Sequence, residues 1–308
     1  QRVPRPVAQR WLRRVLLGVL TRRRLFSPLL AAGRLMRPLL PTALRSKIPQ
    51  RRATPGRPST AHARRMIVLE GCVQPALGPE INDFAARLLD RAGISLVSAP
   101  AAGCCGAVAH HLAAPARALD SMRANIDAWW PLVESGAEAI IVTSSACSVM
   151  VKEYAHLLAE DPRYAEKARR VSTLARDLCE VIDELPLGFT RIDERDTPPT
   201  RIAFHSPCTL QHGQQLRGVV ERILGRLGYE LVPVQDAHLC CGSAGTYSIL
   251  QPTLSTQLRA NKLAALQANR PEFIATANIG CLNHLAEASE LPVRHWVELA
   301  EQALVARS

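Results

Sequence analysis

The feature that most constrains this chain is a repeat written in cysteine. Adding 136 to Cys72, Cys104 and Cys105 gives Cys208, Cys240 and Cys241 without error, and Cys147 maps two residues off onto Cys281. Each copy sets 31 residues between its first cysteine and a Cys-Cys-Gly triplet, AAGCCGAV and HLCCGSAG. Eight of the nine cysteines belong to the two copies. Cys179, at helical spacing in LARDLCEVIDEL, is left over and reads as a core residue. Self-similarity at a fixed offset marks a duplicated structural unit.

The elements repeat with the cysteines. In the first copy MIVLEG reads as a buried strand and INDFAARLLDRAG as an amphipathic helix ended by glycine. ISLVSAP is the next strand, ALDSMRANIDAWWPLVESG the next helix, and AEAIIVTS a strand running into Cys147. The second copy repeats the order with RIAFHS, LRGVVERILGRLG, YELVPV, LSTQLRANKLAALQ and EFIATAN. Strand, helix, strand, helix, strand predicts a parallel sheet with crossover helices. The expected fold class is therefore α/β, with two pseudo-repeated modules, each a small parallel sheet with flanking helices. We set them at residues 66–195 and 196–308, joined through a helical stretch around 151–190.

A basic helical leader precedes them. Residues 1–65 carry 17 Lys or Arg and no Asp or Glu, which leaves 21 basic and 27 acidic side chains for the rest. The net charge of +11 thus belongs to the leader. WLRRVLLGVLTRRRLF and LLAAGRLMRPLL read as two short amphipathic helices suited to anionic lipid, to an acidic partner, or to a solvated arm packing on the rest of its own complex, and QRRATPGRPSTAHARR as a flexible linker. No apolar run approaches a membrane span, and no small-residue signal cleavage site is evident. The chain opens on Gln1, which reads as a start downstream of a native N-terminus. Nucleic acid is not an expected partner, because no binding motif stands out and only 4% of residues are aromatic.

An odd number of cysteines without a signal argues against a secreted disulfide scaffold. In the expected sheets each motif cysteine lies at or beyond the C-terminal end of a strand, the edge where open parallel sheets bind ligands. Cys72, Cys104, Cys105 and Cys147 would converge in one module, and Cys208, Cys240, Cys241 and Cys281 in the other. Gly103, Gly106, Gly242 and Gly245 would let the backbone turn paired thiols toward one centre. Four thiolates suit zinc or an iron–sulfur cluster. His205, His212, His238 and His284 surround the second site in sequence. They are open to structural roles, to hydrogen bonding with cluster sulfur, to replacing a ligand, or to relaying protons. Trp129-Trp130 reads as a packing or subunit-contact patch, and Lys152-Glu153-Tyr154 as a docking surface or an exposed helix turn. No nucleotide loop, Ser–His–Asp set or paired-carboxylate signature stands out.

The stretches LEGCVQPALGP, AGCCGAVAHHL, NIDAWWP, VKEYAHLL, PCTLQHGQ, HLCCGSAGTY, ATANIGC and VRHWVELAEQAL resemble the cysteine-rich C-C-G domain. That domain occurs twice in heterodisulfide reductase and in flavin-linked 2-hydroxy-acid oxidoreductases. Within the family the chain is most similar to iron–sulfur subunits of glycolate oxidase (glycolate dehydrogenase), from residue 66 to 306. The resemblance implies cofactor and metal binding by all eight motif cysteines, Cys72, Cys104, Cys105, Cys147, Cys208, Cys240, Cys241 and Cys281, with no catalytic residue on this chain. The family's closing Cys-x-x-Cys reads Ser144-Ser145-Ala146-Cys147 and Asn278-Ile279-Gly280-Cys281, so each site keeps four cysteines and lacks the fifth. This leaves the type and occupancy of a [4Fe–4S] cluster open. The family's N-terminal ferredoxin-like Cys-x-x-Cys runs are not in this sequence.

The implied function is electron transfer within a multi-subunit complex. FAD on partner subunits, not on this chain, oxidises glycolate to glyoxylate, and electrons pass to an acceptor such as quinone. The implied location is cytoplasmic, with a peripheral place on the inner face of the membrane. Three alternatives stay open: an electron carrier of a lactate-utilisation or heterodisulfide-reductase-like complex, a non-redox zinc-bearing scaffold, and a direct reductase whose cysteine pair cycles with substrate.

Overall fold

The computed structural model describes residues 5–41, 45, 47–186 and 198–305. The first module is built on β1 (Arg64–Val68), β2 (Ile94–Ser98), β3 (Ile140–Val142) and β4 (Ala175–Asp177). The second uses β5 (Arg201–His205), β6 (Glu230–Leu231), β7 (Phe273–Thr276) and β8 (Val293–His295). Both sheets are wholly parallel and share one order, β2-β1-β3-β4 and β6-β5-β7-β8. Helices cover both faces, so central strands read as continuous apolar runs: Ile67, Val68, Ile140 and Ile141 are fully buried.

The expected order is present with one addition. Each sheet has a fourth strand, β4 or β8, and the first falls inside the stretch expected to be a helical join. Three residues are too few to show a period of two, and both strands run directly into helices, Leu178–Glu184 and Trp296–Val305. The proposed boundary between residues 195 and 196 lies outside the described residues. The first copy is longer because helices Tyr154–Leu157 and Ala165–Leu174 stand between Cys147 and β4.

Local chemistry explains the helix that carries the interface. Helix Glu80–Arg91 has Glu80 and Asp83 in its first turn and Arg91 in its last, each favourable to the helix dipole. Ile81, Ala85, Leu88 and Leu89 form its buried stripe. Gly93, at φ +71°, ends it where a side chain would be strained.

This helix packs on Trp296–Val305 of the other module, and Leu178–Glu184 packs on Val219–Arg226. Each contact pairs the first helix of one copy with the last helix of the other, the reciprocity of a two-fold interface. Polar contacts follow the same rule. Arg87 pairs with Glu301 at 2.6 Å, and Arg222 and Arg226 pair with Asp183 at 2.6 and 2.7 Å. Met66, Leu88, Ile94, Leu178, Ile202, Leu224 and Trp296 join in one core that draws on both modules. Cys179 is buried in it, as its helical spacing suggests.

The leader forms two helices, Val7–Leu20 and Arg23–Met36. The first sends Leu17 into the core on the outer face of the first sheet. The second anchors through Arg34, which donates to the carbonyl oxygens of Pro49 and Ala76 at 2.9 Å each. The expected flexible linker is instead tied down along its length. Arg52 pairs with Glu298, Arg57 with Glu70 and Asp83, and His62 with Asp90. Its basic residues find acids that the leader lacks, on a body that has them to spare. Among the described residues no helix is long and apolar enough to cross a membrane.

A core fed by both sheets should make the modules unfold together. Trp296→Ala is expected to lower stability by about 3–5 kcal/mol and to keep one denaturant transition. Two separated transitions by circular dichroism would show that the modules fold independently.

Candidate metal centres

The strand ends bring each thiol quartet together. In the first module the thiols stand as a row of interacting neighbours, Cys72–Cys104–Cys105–Cys147. The second repeats it as Cys208–Cys240–Cys241–Cys281. Cys147 and Cys281 sit in the first turns of helices Ser145–Lys152 and Ile279–Ala286. The first quartet is the drier: Cys72, Cys104 and Cys105 are buried, whereas Cys208 and Cys240 are half-buried.

The Cys-Cys-Gly triplet has a physical reason in each copy. Gly106 and Gly242 take φ of +95° and +86°. A Cβ on Gly106 would lie 3.1 Å from the Ala118 carbonyl oxygen, and one on Gly242 only 2.5 Å from that of Ser255. Only glycine fits both the conformation and the approach. The same backbone then serves the sulfurs, for the Gly242 N–H donates to Cys240 Sγ at 3.3 Å and the Gly106 amide acts likewise on Cys104.

Electrostatics favour the thiolate at the central sulfur of each site. Cys104 is held far below the usual thiol range, chiefly because Cys105 and Cys72 both donate to it. Cys240 is lowered in the same way by Cys208 and Cys241. The donors move oppositely. Cys72 and Cys105 rise through their bonds to Cys104 and through burial, and Cys208 and Cys241 rise beside Cys240. Each site therefore settles on a central thiolate beside protonated neighbours, and the second favours a further thiolate at Cys281, lowered to about 6. Further deprotonation would crowd buried negative charge, which a bound cation would neutralise as it displaces the protons. The donor set, its burial and its amide bonds fit a metal or an iron–sulfur cluster held by thiolate.

Of the four histidines near the second site, one reaches the thiols. His205 ends β5, is 2% exposed and has no hydrogen-bond partner on either ring nitrogen. A ring nitrogen of His205 and the sulfurs of Cys241 and Cys281 lie within 4.8 Å of one another. Cys281 is lowered first by Cys241 and then by this imidazole. His212 and His238 are exposed, and His284 bonds Ser255 Oγ at 3.2 Å. A small cavity of about 50 Å³ opens here, lined by His205, Cys208, Cys240, Cys241, Asn278 and Cys281. Asn278, at the fifth-cysteine position, uses its Oδ1 to accept from the Gly280 and Cys281 amides and its Nδ2 to donate to Ser145 Oγ. Ser144 is buried and precedes its helix.

Several supporting residues have roles that their sequence spacing does not show. Asn125 accepts from the Gly103 amide at 2.8 Å and donates to the Cys104 carbonyl at 2.9 Å. Tyr154 was expected on an exposed turn or docking surface; it is buried and donates to the Cys105 carbonyl at 2.8 Å. Lys152 is paired with Glu180. Trp129 is buried and stacks on Tyr154 with ring centres 6.4 Å apart, so half of the tryptophan pair is core. Lys262, buried near the second quartet, donates to the Asp236 carbonyl at 2.7 Å. Asn125 and Tyr154 sit inside the motif stretches NIDAWWP and VKEYAHLL, the one clue that was available.

A sequence pattern described as a cysteine-rich domain, CCG, matches residues 66–152 and 202–286. The chain is 51% identical over 306 residues to the glycolate oxidase iron-sulfur subunit of Escherichia coli (strain K12), covering 99% of this chain and 74% of that protein. It is 29% identical to the probable glycolate oxidase iron-sulfur subunit of Bacillus subtilis (strain 168), over 71% of this chain and 48% of that one. It is also 26% identical to lactate utilization protein A of Geobacillus thermodenitrificans (strain NG80-2), over 70% and 87%. The chain thus spans about three quarters and about half of the first two relatives.

The two modules meet near the sites through a pair of buried titratable groups with opposite behaviour. His295, at the end of β8, lies with Nε2 3.0 Å from the Thr143 carbonyl oxygen and accepts from the Val297 amide, so it is neutral. Burial lowers its pKa to about 3, and its contribution to stability is lost as pH falls from the unfolded value near 6.5 toward 3. Asp177, at the end of β4, accepts from Gln214, but burial raises its pKa to about 6. The folded state therefore gains from protonating it as pH falls from about 6 to 4. The two slopes oppose, each approaching about 1.4 kcal/mol per pH unit for one proton. Relative to the parent, Asp177→Asn should lose stability between pH 7 and 5, and His295→Gln should gain it. Denaturant titrations at several pH values check the opposite signs.

Proposed function

The chain belongs to the family of glycolate oxidase iron–sulfur subunits built on two cysteine-rich CCG domains, and on that premise we propose that it is an electron-transfer subunit of a multi-subunit glycolate oxidase or dehydrogenase. The observation that carries this reading is the pair of thiol quartets converging at sheet edges, each with one sulfur already favoured as thiolate. Cys72, Cys104, Cys105 and Cys147 hold one iron–sulfur centre, and Cys208, Cys240, Cys241 and Cys281 the other. Such a centre supplies one-electron storage at a potential set by its surroundings. Glycolate is oxidised to glyoxylate on FAD carried by partner subunits, releasing two electrons and two protons. The electrons leave singly through this subunit toward an acceptor such as a quinone.

The chain's own residues bury the sulfurs, fix them on rigid strand ends, and stabilise thiolate charge through amides and the N-terminal turns of helices. Tyr154 and Asn125 brace the first Cys-Cys-Gly loop, and Ser255 braces the second through the Gly242 carbonyl. A second reading keeps the electron-transfer role but pairs it with a lactate-oxidising partner. It is favoured by the match along most of a lactate utilization protein A.

The proposed location is the cytoplasmic side, peripheral on the inner face of the membrane. The leader supports this, because Trp11, Leu25, Leu29 and Leu35 are exposed on helices rich in arginine and free of acids. Apolar side chains beside cationic ones suit the boundary of an anionic bilayer.

Anaerobic protein isolated with its flavin partners should contain iron and acid-labile sulfide and give EPR signals when glycolate is added. Zinc in place of iron would overturn electron transfer in favour of a scaffold. The flavin-free chain with an artificial acceptor should oxidise no glycolate, and turnover by it would sink the subunit reading. Trp11→Ser combined with Leu29→Ser should cut co-sedimentation with anionic vesicles severalfold, and raised salt should weaken the parent's binding. Unchanged binding would remove lipid as the leader's partner.

A further inference from the structure

The two thiol sites are copies in sequence but not in donors. Asn278, where the family pattern has a fifth cysteine, has both polar atoms engaged with protein groups and is not free to coordinate. His205 is free. It lies on the neighbouring strand, opposite Thr276 in the β5–β7 register, and so ends at the same sheet edge as Asn278. Its two nitrogens are buried without a partner, an arrangement that costs free energy unless something fills it. One of them converges with Cys241 and Cys281 within 4.8 Å. Subtracting the repeat offset gives Leu69, an apolar residue buried in the core of the first module.

Building on the reading that both quartets hold iron–sulfur centres, we propose that His205 is the fifth donor of the second centre. The donor set there is Cys208, Cys240, Cys241, Cys281 and His205, against four cysteines alone in the first module. Imidazole is a neutral donor, and histidine among thiolates raises the potential of an iron–sulfur centre. Two further features act in the same direction. Lys262 is buried near the second quartet with its Nζ on the Asp236 carbonyl, and its positive charge is attracted to Cys240 and Cys241 when these are ionised. Cys208 and Cys240 are both half-buried, against Cys147 alone in the first quartet. By the same offset Leu69 and Ile126 stand in the first module where the second has His205 and Lys262, and both are apolar and buried. The second centre is therefore the more oxidising one, the centre to which electrons run before leaving the chain.

The test uses the anaerobic holoprotein with its partners, measured by iron and sulfide content, pulsed EPR and a potentiometric titration. The parent should show a strong ¹⁴N coupling typical of coordinated imidazole on one of two centres, the one with the higher midpoint. His205→Leu, which copies the first module, should lose that coupling and lower that midpoint alone. His205→Cys restores a fifth thiolate and guards against a variant that fails to load. It should keep its iron, lose the nitrogen coupling and lower the same midpoint. A fully loaded parent without imidazole coupling, or a coupling that survives in either variant, overturns the role of His205 while leaving the electron-transfer reading intact. A parent free of iron overturns both.

Discussion

A thiolate buried at the end of a parallel sheet must be surrounded by donors or by a cation. Burial alone favours the protonated thiol, and four such groups side by side resist ionising together. In each module the chain meets this constraint by aiming amide N–H groups and neighbouring S–H groups at one central sulfur, Cys104 or Cys240. The requirement fixes the loop. The glycine after each cysteine pair has to turn at positive φ to present its N–H, and the helix behind it approaches so closely that no Cβ fits. The repeated triplet is thus a statement about backbone geometry as much as about sulfur.

Duplication solves a second problem. A four-stranded parallel sheet needs both faces covered, and each module supplies only part of its own cover. The reciprocal packing of first and last helices lets each copy bury the other, with Arg87–Glu301 mirrored by Arg222 and Arg226 on Asp183. Repeat symmetry also brings the strand ends of the two sheets together, where Ser145 donates its amide to the Ala277 carbonyl and His295 reaches Thr143. The sites are held at a rigid seam rather than on free loops.

Departures from the symmetry are where the chemistry differs. Leu69 against His205, and Ile126 against the buried Lys262, give a dry, uncharged first site and a more polar, more open second one. A duplicated scaffold with unequal surroundings can hold two similar centres at different potentials, which gives an electron a direction.

The sequence by itself determined the duplication, the parallel α/β order of each copy and the identity of the eight thiols, because these are written in spacing and periodicity. It also carried the family, since the motif stretches around Cys72, Cys105 and Cys241 are long enough to be distinctive. The fourth strands were not legible, for Ala175–Asp177 and Val293–His295 are too short to show a period and owe their conformation to the strands beside them. Nor was the tethering of residues 50–63, since ion pairs such as Arg52–Glu298 join residues far apart in the chain. Tertiary structure alone chose His205 from four histidines and assigned Tyr154 to the Cys-Cys-Gly loop. Those roles depend on which strand ends meet in space, and residue spacing along one chain does not encode a distance between two sheets.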